Sequence, residues 1–198
     1  MSSTSQLSSE YQKTLLEVAR QSIRHGLEAG SPLPINLIDY PDELIQQRAT
    51  FVTLKISKQL RGCIGTLEAH RPLVEDISWN AFSAAFKDPR FPPITEPEIG
   101  NLDIHLSLLT APEPIEFDSQ QDLLSKIRPS VDGLILQDGK HRGTFLPSVW
   151  ESLPNPESFL EHLKMKAGLP ESYWSDTIKV YRYTAESVEQ SGEDQICC

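Results

Sequence analysis

The run Leu60-Arg61-Gly62-Cys63-Ile64-Gly65-Thr66 restricts the fold more than any other part of the chain. It follows a clean alternation, Phe51 to Ile56, in which Val52, Leu54 and Ile56 face one side and Thr53 and Lys55 the other. Ser57 to Gln59 then turns the chain, so Leu60–Glu68 is predicted to return as the second strand of a hairpin. In a regular strand Arg61, Cys63 and Gly65 share one face, at about 3.3 Å per residue; a glycine bulge would break that pattern. Gly62 and Gly65 leave room for another backbone or a ligand to come close.

The rest of the chain mixes helices and strands irregularly. Residues 10–29 read as a helix, with Leu15, Val18, Ala19 and Ile23 on one face and Gly26 or Gly30 as the stop. Ser31 to Pro41 is a Pro-rich loop. Pro72 is placed to open a second helix whose apolar face is Leu73, Ile77, Ala81, Ala84 and Ala85, and Asp88-Pro89 ends it. Thr95 to Glu98 has capping-box spacing. Leu102–Thr110 alternates as a strand with Leu102, Ile104, Leu106 and Leu108 inward. Ser119 opens a short helix, and Val131–Gln137 and Lys140–Leu146 flank the turn pair Asp138-Gly139. Asn155-Pro156 opens a helix closed by Gly168, and Thr177–Tyr183 is a last strand. Ala185 onward reads as a polar tail. Without a β-α-β-α rhythm, the expected class is α+β with mainly antiparallel sheets.

Charge and composition exclude several functions. A formal net charge of -10 and no basic stripe disfavour nucleic-acid binding. Met1 to Ser9 has neither a basic nor an apolar signal region, and no apolar run approaches the roughly 18 residues a membrane span needs. Three cysteines, one internal and two at Cys197 and Cys198, do not make a disulfide framework, so the expected compartment is the cytoplasm. His25, His70, His105, His141 and His162 are scattered, and no P-loop, GxGxxG or HExxH occurs; neither a metal nor a cofactor is expected. Trp79, Trp150 and Trp174 are read as core residues rather than a platform for bases.

Cys63 is the leading candidate for chemistry. A thiol between glycines with Arg61 two residues away fits a nucleophile or redox group. A small buried cysteine, with both glycines serving tight packing, fits the same letters. Arg61, Arg90 and Arg142 form an anion site if they converge, and separate structural ion pairs, such as Arg90 with Asp88, if they do not. Asp103, His105 and Ser107 share one strand face, where parallel side chains do not make a triad. His105 serves as a base toward Cys63 only if their strands are neighbours.

Taken together, Leu60–Thr66, Asp88-Pro89-Arg90-Phe91-Pro92-Pro93, Leu106-Ser107-Leu108-Leu109-Thr110 and Arg142-Gly143-Thr144-Phe145-Leu146-Pro147 resemble the AMMECR domain family. Its bacterial and archaeal members are called AmmeMemoRadiSam system protein A. The likeness runs from about Tyr11 to Tyr183. It implies one cytoplasmic α+β domain over 10–184, made of two lobes. Each lobe is a mainly antiparallel sheet with helices on one face, a cleft lies between them, and 1–9 and 185–198 are flexible tails. The context of the thiol and the arginines at the motif positions make the candidate site Cys63 and Arg61 as catalytic residues and Gly62, Gly65, Thr66, Asp88, Arg90, Arg142 and Thr144 as binding residues. Implied partners are MEMO-type dioxygenase-like and radical-SAM proteins. The resemblance names no reaction. The leading expectation is a cleft enzyme that uses Cys63 on a small anionic substrate in a modification pathway with those partners. The alternatives are a non-catalytic adaptor for a partner enzyme and, third, a nucleic-acid-related factor. His105 is not a motif position, and Cys197 and Cys198 lie outside the likeness.

Overall fold

Alternation along the strands leaves each sheet one apolar face, and the helices cover it. The computed structural model describes residues 7–189; Cys197 and Cys198 lie outside them. In chain order come α1 (Ser9–Ala29), α2 (Asp42–Ile45), β1 (Thr50–Ile56), β2 (Gln59–Gly65), α3 (Leu73–Phe86), α4 (Glu96–Ile99), β3 (Leu102–Leu109) and β4 (Glu113–Pro114). Then follow α5 (Gln120–Lys126), β5 (Gly133–Asp138), β6 (His141–Phe145), α6 (Pro156–Lys166), β7 (Lys179–Tyr183) and β8 (Ala185–Glu189). They form two compact units, 7–109 with 186–189, and 110–185. No helix of the described residues is long and apolar enough to cross a membrane. The class is α+β, with one antiparallel four-stranded sheet ordered β2-β1-β3-β8 and another ordered β4-β7-β5-β6.

In the first unit α1 and α3 pack on one face of the sheet. Leu15, Val18, Ala19 and Ile23 meet Val52, Leu54, Ile104 and Leu106, all buried. The α1 helix begins where the Ser8 hydroxyl accepts the Tyr11 N–H, and it ends at Gly30, whose φ of 67° is left-handed. Gly26 stays inside the helix. The hairpin between β1 and β2 is not regular. Leu54 faces Gly62 and Lys55 faces Leu60, so Arg61 is the extra residue of a bulge. The expected common face of Arg61, Cys63 and Gly65 is corrected by this slip: Cys63 and Gly65 oppose Thr53 and Phe51, while Arg61 opposes no residue.

The second unit repeats the two-layer plan. Leu134, Leu136, Ile178 and Val180 from its sheet pack against Leu123 of α5 and Phe159, Leu160 and Leu163 of α6. Trp150 is buried and stacks on Phe159 with centroids 3.7 Å apart. β4 was not legible, because two residues ending in proline carry no alternation.

Two other expectations change. The polar segment after Ala185 is a strand at first, not a tail: Val188 is buried in the first core, and Glu186 pairs with Arg48 at 3.2 Å. Trp79 is not core. It is 40 % exposed, with Arg71 and Lys87 4.8 and 5.3 Å from its ring centroid.

Gly62 and Gly143 show why each Arg-Gly pair carries glycine. A Cβ on Gly62 would lie 2.1 Å from the Ala84 carbonyl oxygen of α3, and one on Gly143 would lie 2.9 Å from the Leu163 oxygen of α6. Both glycines let a helix backbone rest on a strand. Gly62→Ala is therefore expected to destabilise by about 3 kcal/mol through overpacking. Gly100→Ala, with nothing within 4 Å of the new atom, is expected to stay within about 0.5 kcal/mol. Urea unfolding of the two variants checks this; equal midpoints would remove the close-approach argument.

Candidate functional site

An edge strand has backbone groups with no neighbouring strand to bond them. At Cys63, on edge strand β2, two side chains fill that role. The Cys63 N–H donates to Asp88 Oδ2 at 2.9 Å, and Arg90 Nη2 donates to the Cys63 carbonyl at 3.3 Å. Asp88 and Arg90 are themselves joined at 2.9 Å (Nε to Oδ1) and 2.7 Å (Nη2 to Oδ2). The pair therefore acts as one rigid residue of a missing strand. The Arg90 guanidinium, helped by the Cys63 and Arg90 backbone N–H groups, holds the buried Asp88 carboxyl far below the usual carboxylate range. The same contact pushes Arg90 up.

Arg61 returns the contact from the other direction. The bulge sends it out of the ladder, and it donates to the Pro92 and Pro93 carbonyls at 2.8 and 3.3 Å and to both Glu98 oxygens at 2.7 and 3.3 Å. Glu98 also accepts the Thr95 N–H and hydroxyl, each at 2.8 Å. Arg61 first, then Thr95, lower Glu98 to about 2. The motif around Cys63 and the loop 88–98 thus hold each other at both ends.

Because the Cys63 backbone groups point off the edge, Cys63 and Thr53 form a non-hydrogen-bonded pair, the kind whose side chains stand closest. The Thr53 Oγ1 to Cys63 Sγ distance is 3.3 Å. The thiol is half-buried. On its other side Thr53 opposes His105 of β3, so Cys63, Thr53 and His105 lie in one row across the outer sheet face. Two strand spacings, about 10 Å, separate the thiol from the imidazole, and His105 Nδ1 lies 3.0 Å from Glu189 Oε1. The row continues into a cavity of about 330 Å³ lined by Lys55, Lys58, Asp103, His105 and Glu189.

The structure groups the expected residues differently from the sequence. Gly65 takes close approach, since a Cβ there would lie 2.4 Å from the Thr50 oxygen. Thr66 donates its N–H to that same oxygen at 3.0 Å. Arg142 and Thr144 belong to β6 of the second unit, where the Thr144 hydroxyl donates to the Leu134 carbonyl and lies 3.1 Å from the Tyr183 hydroxyl. Burial raises Tyr183 to about 12. Sequence reasoning missed a buried polar cluster behind the hairpin. Asp76 Oδ2 accepts from the Thr50 N–H and hydroxyl and from Asn80 Nδ2 at 3.1, 2.7 and 2.9 Å. Burial raises Asp76, while Thr50 and Arg71 oppose that shift. The i, i+4 spacing of Asp76 and Asn80 beside the apolar Ile77 and Ala81 of α3 was its one signal. Among the described residues, no three His, Cys, Asp or Glu side chains gather to hold a metal ion.

The family model described as AMMECR1 matches residues 16–188. A protein of Methanothermobacter thermautotrophicus is 40 % identical over 192 residues, covering 94 % of this chain and 97 % of that one. A Methanocaldococcus jannaschii protein is 42 % identical over 165 residues, covering 78 % and 80 %. The crystal structure of an uncharacterised Pyrococcus horikoshii protein superposes with a TM-score of 0.83 at 37 % identity, covering 91 % and 92 % of the two chains.

Acid should weaken the edge lock. Asp88 and Glu98 titrate lower in the folded state than when unfolded, so their contribution is complete above about pH 5 and is lost as pH falls through about 2 and below. Asp88→Asn leaves Arg90 without its carboxylate, and because Arg90 is half-exposed and stays hydrated, the expected loss at pH 7 is about 1.5 kcal/mol. Chemical unfolding across pH 2 to 7 should show a flatter acid slope for this variant. An unchanged slope would mean the pair contributes nothing to stability.

Proposed function

The chain belongs to the AMMECR1 family, and from that premise we propose that its first unit is a binding module whose contact point is the sheet face carrying Cys63. The observation behind this reading is the engagement of both nearby arginines. Arg61 is bound by Glu98 and two proline carbonyls, and Arg90 by Asp88. Neither supplies the unpaired positive charge that activates a thiolate. The group touching the thiol is the Thr53 hydroxyl, which is no base at neutral pH, and His105 is engaged with Glu189. What remains is a small, polarisable side chain held by a rigid backbone, and preorganisation of this kind favours recognition. MEMO-type and radical-SAM proteins are the partners this reading puts on the face, in the cytoplasm.

Titration calorimetry against those two protein classes separates binding from catalysis. Cys63→Ser should keep partner affinity within about fivefold, and Thr53→Arg, which buries the face under a long charged side chain, should weaken it about 100-fold. Cells carrying Cys63→Ser in place of the native gene should keep normal function. Loss of function with partner binding intact would replace the binding module with a thiol enzyme.

A further inference from the structure

In the second unit β4 parts from β7 and leaves a cavity of about 580 Å³. The last bond between the two segments is Ile115 N–H to the Val180 carbonyl, at 2.9 Å. After it the chain turns toward α5: the Glu116 carbonyl accepts Lys126 Nζ, and the Asp118 N–H donates to Asp122 Oδ2. The other wall is tied away by Ser175 and Thr177, which donate to Asp138. A fork therefore opens where β4 leaves β7, which stays paired with β5 on its other side.

Its rim carries three carboxylates against one cation. Phe117 and Trp174, half-buried with ring centroids 5.7 Å apart, form the apolar part. Glu116, Asp118 and Asp176 stand around them exposed, and among the described residues none of these three carboxylates has an ion pair or side-chain hydrogen bond. Among the described residues, Lys179 is the sole cationic residue lining the cavity. Lys126, the next cation, is already held by Asp122 at 2.8 Å. Unpaired carboxylates beside aromatic faces suit an ammonium or guanidinium group. A gap that opens along the ends of β4 and β7 suits an extended segment.

We propose that this fork docks an extended, lysine- or arginine-bearing segment of a partner protein, with its cationic group against Phe117 and Trp174. The chain's own residues 190–198 do not qualify, because they carry Glu193 and Asp194 and no Lys or Arg. The proposal is independent of Cys63.

The test uses the full chain and a fluorescein-labelled peptide of alternating lysine and serine, followed by anisotropy. Binding is expected at low salt. Neutralising the rim (Glu116→Gln, Asp118→Asn and Asp176→Asn together) should weaken it tenfold or more, and so should Trp174→Leu, which leaves the charge unchanged. Asp103→Asn and Cys63→Ser should change nothing, and unfolding midpoints verify that each variant folds. Indifference to Trp174→Leu would reduce the effect to bulk charge and overturn the proposal. Spermidine competing at the peptide's own affinity would overturn it in favour of a free-amine site.

Discussion

A strand at the edge of a sheet must satisfy its outward backbone groups or attract another chain. β2 solves this with side chains rather than with a further strand. Asp88 and Arg90 take the N–H and the carbonyl of one residue, Cys63. That bond pair fixes the loop 88–98 against the edge, and the loop in turn gives Arg61 its proline carbonyls and Glu98. Either half alone leaves charges without partners. Together they form a closed set, and the position of the Cys63 side chain follows from it.

The lock also determines the local electrostatics. Two arginines near a thiol suggest an activated thiolate when they are read along the sequence. In the fold each guanidinium faces a carboxylate held below its ordinary range, so the positive charge is neutralised where it stands. Desolvation of Asp88 works against its ionisation, and the bidentate contact to Arg90 prevails. The thiol is left beside a hydroxyl, in a row that leads to an imidazole two strands away.

Both units use one packing device. In each, a strand glycine that follows an arginine receives the backbone of a helix: Ala84 above Gly62, and Leu163 and Ala167 above Gly143. A two-layer unit built this way brings helix and sheet closer than side chains would allow, and the alanines of α3 extend that contact. The glycines flanking the thiol are thereby explained by packing, without a ligand. The buried Asp76, Thr50 and Asn80 cluster then supplies the polar bonds that this close approach would otherwise leave unmade.

Local pattern was sufficient for most elements. Leu102, Ile104, Leu106 and Leu108 alternate and are all buried, and Ser119, Asn155 and Gly30 mark helix ends because capping depends on neighbours within a few residues. The α+β class and the hairpins at 50–65 and 133–145 were set by the sequence for the same reason. The bulge at Arg61 was not, since a one-residue slip costs little locally and is chosen by what the displaced side chain finds across the loop. The strand at 185–189 was hidden likewise: its polar letters become strand only beside β3, with Val188 in the core and Glu186 on Arg48. Periodicity is a property of consecutive residues, so the chain states it openly. The pair of Arg90 with Asp88 lies within two residues and is legible along the chain, but that Arg61 meets Glu98, 37 residues away, and that Asp88 and Arg90 meet the Cys63 backbone, only the folded packing decides.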